Sequence, residues 1–479
     1  MASNETNKVK LFLENFIVYG VGGVMSKLIP LIMLPIVTRL MPNTSYFGIS
    51  DLSNTVSSFG SALAVIGMYD AMYRMFFEKD EDAFKRQVCS TTLVFTAGMS
   101  ILVTLIMIAG QGIIAKYFFG DIKYSYLVYI TAMTTLVSAT NQIVSAPTRM
   151  QNKRRIFVIT NVVSPLLSYS VSIPLILAGH YVIALPIAAL IAGTTMEVVF
   201  WVLNRNWFKP KLFDKKLLKQ LLIIAVPLFP NFLIYWIFNS SDKIMITNLI
   251  NVGAAGVYSV GSKLGHASQL IYTAFAGGWQ YFAFSTMKED NQVESNSKVF
   301  EYLGIISFIT SVFVCALARL IFNILFTGEY VQGYIVAPYL FMAPLMQMLF
   351  QVACNQFIVI KKTWPNMFIL MSGAVINVLL NLVLIPSIGI EGAAIATLIG
   401  YVCSDIICSI VLCRMKLMVI SKRFLLSAAV VVGYILLWRL VTIQNTPISF
   451  LIACAVAGIL GYLYRNEAKL VLSKLERKK

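Results

Sequence analysis

The chain has 479 residues, 58% of them hydrophobic and only 12% charged, with a net charge of +17 and a mean hydropathy of +0.79. Soluble domains carry about 25% charged residues, so this composition excludes one. Apolar runs near the ~20 residues that a bilayer requires recur from end to end, and no gap between them has room for a separate soluble domain. The fold class expected is an all-α polytopic membrane protein of about fourteen transmembrane helices.

The predicted spans run roughly over 14–38, 47–69, 88–110, 124–146, 156–178, 181–203, 219–248, 253–279, 299–320, 334–358, 366–386, 391–412, 423–440 and 446–464. With both termini on one side, that side holds 30 of the 38 Lys and Arg residues. The opposite side holds Arg39, Lys116, Lys123, Arg319 and Arg439, while Lys27, Lys243 and Lys263 fall inside spans. The positive-inside rule then puts both termini in the cytoplasm. The basic charge reads as topology and contact with anionic lipid, and nucleic acid is not an expected partner. The opening MASNETNKVK is polar and has no cleavage pattern, so the first span is expected to stay in the membrane.

Taken in chain order, the first span carries Pro30 and Pro35 near its middle, where each proline removes a hydrogen bond and bends the axis. The second carries a polar stripe, Asp51, Asn54, Ser58 and Ser61, spaced i, i+3, i+7, i+10 along one helix face. The loop at 70–87 has mixed charge and reads as a solvated turn. The loop at 204–219, RNWFKPKLFDKKLLKQ, is the most basic internal loop and reads as a linker on the cytoplasmic headgroups. The seventh span repeats the proline pair as Pro227 and Pro230. The eighth repeats the stripe as Ser259, Ser262, His266 and Gln269, each 208 residues after its counterpart. Polar groups are expensive in lipid, so both stripes are expected to face a partner helix or a wet cavity. The cysteines, Cys89, Cys315, Cys354, Cys403, Cys408, Cys413 and Cys454, show no metal or disulfide spacing and read as packing residues.

The repeat extends beyond the stripes. Gly48 maps to Gly256, and Ile187, Leu190 and Ile191 map to Ile395, Leu398 and Ile399, all at +208. Ala139, Asn141 and Gln142 match Ala353, Asn355 and Gln356 at +214, as a six-residue loop insertion would produce. The expected organisation is an N-terminal six-helix lobe (1–203), the basic linker (204–219), a C-terminal six-helix lobe (220–413), and a C-terminal helix pair with a basic tail (414–479). Six is an even number, so the two lobes would share one orientation about an axis along the membrane normal, an arrangement used by transporters.

LPIVTRL (34–40) followed by SYFGISDL (45–52) resembles the opening of Wzx-type polysaccharide flippases. DKIMI (242–246) with AGVYSVGSKL (255–264) resembles that family's seventh and eighth helices, and INVLLNLVLIP (376–386) with GIEGAAIAT (389–397) its eleventh and twelfth. These flippases share a superfamily with MATE exporters and lipid II flippases. The resemblance covers essentially the whole chain through diffuse helix patterns. It implies two six-helix lobes around a central V-shaped cavity that opens alternately to either side. The implied substrate is a polyprenyl-pyrophosphate-linked oligosaccharide repeat unit, moved from the cytoplasmic to the outer leaflet of a bacterial inner membrane for O-antigen, capsule or exopolysaccharide assembly. Glycan polymerase and export machinery are the implied partners.

Such a substrate keeps its lipid tail in the bilayer, but its sugar needs a wet polar surface and its pyrophosphate needs cations at membrane depth. Candidate cavity cations are Lys27, Lys263, His266 and Lys243. The stripe residues Asp51, Asn54, Ser58, Ser61, Ser259, Ser262 and Gln269 are the candidate polar lining. Asp70, Arg74 and Arg149 would sit at the cytoplasmic mouth, where an arginine is the better bidentate ligand for phosphate. Asp51, Asp242 and Glu197 are candidates for ion coupling, and Asp51 and Asp242 are equally placed to pair the cavity lysines. Asn377 and Asn381, at i, i+4, are expected to join helices by hydrogen bonds. No cofactor or metal is expected; coupling to a proton or sodium gradient or to membrane potential is the expected energy source. The alternatives are a MATE-type organic-cation antiporter, against which the absence of a mid-span acid in the first helix counts, and a lipid II flippase. A membrane-embedded glycan polymerase or ligase would need catalytic residues in a sizeable external loop, and the predicted external loops are short.

Overall fold

The computed structural model describes residues 23–467 except 274, 276–278, 280–282, 284, 285, 288 and 363. The described chain is helical throughout, without strands. Helices α1 (Gly23–Leu40), α2 (Thr44–Val65), α3 (Met68–Phe76), α4 (Asp82–Ala109), α5 (Gln111–Phe118), α6 (Ser125–Met150), α7 (Arg154–Leu177) and α8 (Tyr181–Asn204) come first. They are followed by α9 (Lys215–Ala225), α10 (Phe229–Leu249), α11 (Val252–Gly265), α12 (Gln292–Leu325), α13 (Ala337–Val359), α14 (Trp364–Ile388), α15 (Ile390–Arg414), α16 (Lys422–Leu437) and α17 (Thr446–Leu463).

Among the described residues, twelve helical segments are long and apolar enough to cross a membrane. The two expected spans missing from that set are those that carry the polar stripes. α2 is 22 residues long, but its serines, threonines, Asn54 and Asp51 lower its mean hydropathy. α11 is 14 residues long and passes into a 3₁₀ turn at His266–Ser268, and residues 274 and 276–278 of that expected span, like 14–22 of the first, lie outside the described residues.

Two local departures from the expected spans have clear physical causes. The second span does not run on to residue 69: Ile66 and Gly67 adopt left-handed backbone with φ of 47° and 74°, and α3 starts in a new direction. A Cβ on Gly67 would lie 2.6 Å from the Ala225 carbonyl oxygen, so glycine suits both the turn and the close approach. The proline pairs behave differently from one another. α1 remains helical through Pro30 and Pro35, whereas the seventh span breaks into a 3₁₀ turn at Val226–Leu228 between α9 and α10.

The chain forms two compact units, Met1–Ser259 and Val260–Lys479, with the boundary inside α11. The basic segment expected to link the lobes is bound within the first unit. The Lys209 and Asp214 amides donate to Ser90 Oγ (2.9 Å) and Thr91 Oγ1 (3.2 Å) of α4, and the Gln87 amide donates to Asp214 (3.1 Å). Asp214 also caps α9 by accepting from the amides of Lys216 and Leu217.

The first unit has an apolar core at each end. One joins Ile49, Leu52, Met107, Phe119 and Leu127; the other joins Met72, Phe76, Cys89, Leu221 and Ala225. Hydroxyl contacts link helices within the first of these: Ser53 Oγ lies 2.7 Å from Thr131 Oγ1, and Thr104 donates to the Ala132 carbonyl at 3.2 Å. Such bonds suit a protein in which lipid is as apolar as leucine and gives helices no hydrophobic reason to associate.

In the second unit, α14 and α15 are joined by Asn377, which donates to Thr397 Oγ1 at 3.1 Å, while Asn381 is fully buried one turn away. The C-terminal helices are pinned at both ends by buried glutamates. Glu391 takes a bidentate pair from Arg439 (2.5 and 2.8 Å) and a bond from Tyr339 (3.0 Å). Glu301 accepts from Ser421 (2.7 Å) and Tyr464 (2.6 Å).

Turns with positive φ recur close to the 208-residue spacing. Gly120 and Gly328 both have positive φ, 208 residues apart; Asn152 and Lys361 do so at +209, and Gly179 and Gly389 at +210. The second pair closes its helices with the same bonds, from Lys153 to the Thr148 carbonyl and from Lys362 to the Phe357 carbonyl.

Candidate functional site

The end of the first unit expected outside the membrane is tightly closed. α2 and the first half of α11 cross where Gly48 meets Gly256. A Cβ on Gly256 would lie 2.0 Å from the Thr44 carbonyl oxygen, and one on Gly48 would lie 2.4 Å from that of Val252. Only glycine permits this approach, and the two glycines are repeat equivalents at +208.

Just below the crossing, Lys243 Nζ lies 2.7 Å from Asp51 Oδ2, with the Lys243 side chain 14% exposed and that of Asp51 5%. Tyr258 donates to Asp242 Oδ2, and both residues are buried. Adjacent residues on α10 point about 100° apart, so Asp242 and Lys243 take different partners. In this state Lys243 has its charge balanced by Asp51 rather than offered to a ligand. Breaking such a buried pair from one side costs about 3–5 kcal/mol, because the other charge stays behind.

The rest of the first stripe divides in two. Ser61 is buried and accepts from Gln142 Nε2 at 3.1 Å. Asn54 and Ser58 are exposed, and Ser58 accepts from the Trp236 indole at 3.3 Å. On α11, Ser259 and Ser262 are buried, while His266 and Gln269 are partly so. His266 Nδ1 lies 2.7 Å from its own helix's Ser262 carbonyl and 3.1 Å from Ser262 Oγ.

Lys263 is exposed for a reason visible in GSKLG. Gly261 and Gly265 form the packing face, where an added Cβ would meet Gly333 O at 2.7 Å and Ala337 O at 2.8 Å. Lys263, two residues from each, points to the opposite side of the helix. Lys27 is also exposed within α1, and no acid lies within ion-pair distance among the described residues.

At the other end of the unit the groups are open. Arg149, in the last turn of α6, is exposed; it donates to Tyr69 Oη at 3.2 Å and sits 5.0 Å from the centroid of the Phe157 ring. Arg74 is exposed and has no ion-pair partner among the described residues. Asp70 keeps an exposed face, but partial burial pushes its carboxyl above the ordinary range. Beside Arg149, a polar cavity of about 230 Å³ opens between α6, α7 and α8. Sequence reasoning missed this cavity. Its signal was the polar spacing Asn141, Ser145, Thr148 on α6 facing Thr160, Asn161, Ser164 on α7. Glu197 is partly buried on α8, near Thr140 and Trp201.

In the second unit, Asp405 is buried and neither carboxylate oxygen has a hydrogen-bond partner among the described residues. Cys354 and Cys408 bring their sulfurs to 3.7 Å as free thiols across α13 and α15.

The sequence profile of the family described as polysaccharide biosynthesis protein matches residues 36–334. This chain belongs to that family. No curated protein matches it. Among solved structures it is similar to the lipid II flippase MurJ in an inward closed conformation, with a TM-score of 0.70 and 15% identity over 94% of this chain and 100% of that one. It is also similar to an inward-facing multidrug resistance MATE transporter of the MOP superfamily, with a TM-score of 0.60 and 13% identity over 84% of this chain and 94% of that one. A Vibrio cholerae MATE transporter, VcmN, follows with a TM-score of 0.54 and 12% identity over 86% and 97%. At these identities the likeness is one of fold. Family and fold together make the chain a multi-pass membrane protein of a polysaccharide biosynthesis family, with the fold of these solved structures.

Proposed function

We propose that this protein moves a polyprenyl-pyrophosphate-linked oligosaccharide repeat unit from the cytoplasmic to the outer leaflet of the bacterial inner membrane, by alternating access, for O-antigen, capsule or exopolysaccharide assembly. The observation that carries the reading is Lys27, an exposed ammonium inside a membrane-spanning helix with no acid beside it among the described residues. Lipid gives no reason to keep such a charge, and a pyrophosphate crossing the bilayer does. Lys263, exposed on the face opposite its helix's packing glycines, is the second cation in this reading. An ammonium suits a phosphate that must be held and then released.

The closed end supports an alternating cycle. Release to the outer leaflet would require α2 and α11 to part at Gly48 and Gly256, and the Asp51–Lys243 pair to open, freeing Lys243 to face the anion. Asp51, Asp242 and Glu197 remain candidates for coupling to a proton or sodium gradient.

The test is glycan export in a deletion strain complemented with Lys27→Ala/Lys263→Ala. Loss of surface glycan with normal protein abundance is expected; full export would contradict the cationic pathway. A MATE-type pump would instead change drug sensitivity while leaving the glycan intact.

A further inference from the structure

We infer that the cavity between α6, α7 and α8 is a binding site for a sugar 1-phosphate group: the pyranose ring lies inside and its phosphate rests on Arg149 at the mouth. The inference rests on the flippase reading and names where the reducing-end sugar of that substrate is first held.

Size sets the first limit. At about 230 Å³ the cavity lies below the ~300–1,000 Å³ of pockets that hold drug-sized ligands. It has room for one ring rather than an oligosaccharide.

The hydrogen-bonding character of the wall sets the second. Ser145 donates to the Gln142 carbonyl (3.3 Å), Thr160 to that of Ile156 (2.8 Å) and the Asn161 amide to that of Phe157 (2.9 Å). The two hydroxyls spend their single O–H on their own helices and turn oxygen lone pairs to the cavity, while the Asn161 amide keeps a second N–H donor beside its carbonyl oxygen. The Asn141 amide oxygen is buried without any hydrogen-bond partner among the described residues. A wall of hydroxyl and amide groups that both accept and donate calls for a ligand that does both, as a ring of hydroxyls does.

Arg149 supplies the place for that phosphate. Its guanidinium is held by the Tyr69 hydroxyl and the Phe157 ring, which leaves most of its five N–H donors pointing elsewhere. Met196 and Phe200 of α8 give the cavity an apolar side, matching the C–H face that a pyranose presents between its hydroxyls. A neutral hydrogen-bonding wall, an apolar side and one cation at the rim fit a sugar 1-phosphate better than a bare phosphate or an apolar drug.

The experiment uses the full chain in nanodiscs of neutral lipid, titrated calorimetrically with a hexose 1-phosphate, the matching methyl hexoside and inorganic phosphate. The hexose 1-phosphate should bind tightest. Arg149→Gln should weaken it at least about tenfold and leave the methyl hexoside unchanged. Asn161→Leu, which fills the cavity, should weaken both sugars and leave phosphate unchanged, with unfolding temperature as the control for fold. If phosphate binds as tightly as the sugar phosphate, or if anionic-lipid nanodiscs abolish the difference, the site takes lipid headgroups or free anion and the inference fails. Indifference to Asn161→Leu in a folded protein also overturns it. Sugar 1-phosphate binding by a chain that moves no lipid-linked glycan would retain the site and remove the flippase reading; normal export with no probe binding would do the reverse.

Discussion

The two ends of the first compact unit use charge in opposite ways. At the end expected outside, Asp51 balances Lys243, Tyr258 satisfies Asp242, and two glycines bring α2 and α11 into backbone contact. At the end expected in the cytoplasm, Arg74 and Arg149 are exposed and a polar cavity stands open beside them. One end buries its charged groups against partners, the other exposes positive ones. Buried charges are tolerable only when paired, whereas exposed ones cost little and can be offered to a ligand. Pairing therefore marks the closed end and exposure the open one.

Breaking the pair should have the largest effect. Lys243→Met removes the ion-pair partner of the buried Asp51 carboxylate and should cost about 3–5 kcal/mol, seen as a lower unfolding temperature in detergent. Asp51→Asn/Lys243→Met should recover most of it, and a double variant as unstable as the single would mean that the pair does not hold this end. Gly256→Ala comes next. Its methyl group meets backbone rather than a flexible side chain, so the crossing should loosen at a cost of about 1–3 kcal/mol or more, with raised labelling of a cysteine placed at Asn54.

Effects at the open end should be smaller. Arg149→Gln removes one hydrogen bond and the contact with Phe157, about 1 kcal/mol of stability, so a loss of export larger than that would point to ligand binding. Asp70 gives the mildest signal. Its carboxyl is raised in the folded protein, so folding favours the protonated form. Stability at this end should rise as pH falls through the raised value and level off below the ordinary carboxylate range. Asp70→Asn should flatten that rise in a pH series of unfolding temperatures.

Much of the fold was legible in the sequence because lipid imposes a simple rule: apolar runs of spanning length become helices, and basic loops gather on one side. The doubled stripe, with Gly48 and Gly256, pointed to helices that matter, since polar residues in lipid need a reason. What the stripe could not supply was partnership. Asp51 finds Lys243 across 192 positions of sequence, and helical periodicity carries no information about which helix lies opposite. The break at Ile66 and Gly67 was equally hidden, because its cause is the approach of Ala225. The same holds for the segment 204–219, which reads as a free basic linker until Ser90 and Thr91 are found to hold its backbone. The cavity beside Arg149 was missed because its polar residues are serines, threonines and asparagines spread over two helices, none conspicuous alone.

The central claim is that the crossing of α2 and α11 must open for transport. Ser45 Oγ lies 3.3 Å from where a Cβ on Gly253 would sit, so Ser45→Cys/Gly253→Cys, with the native cysteines replaced, can form a disulfide across it. Oxidation should stop glycan export and reduction should restore it. Export that continues at the same rate with the cross-link formed would contradict the account.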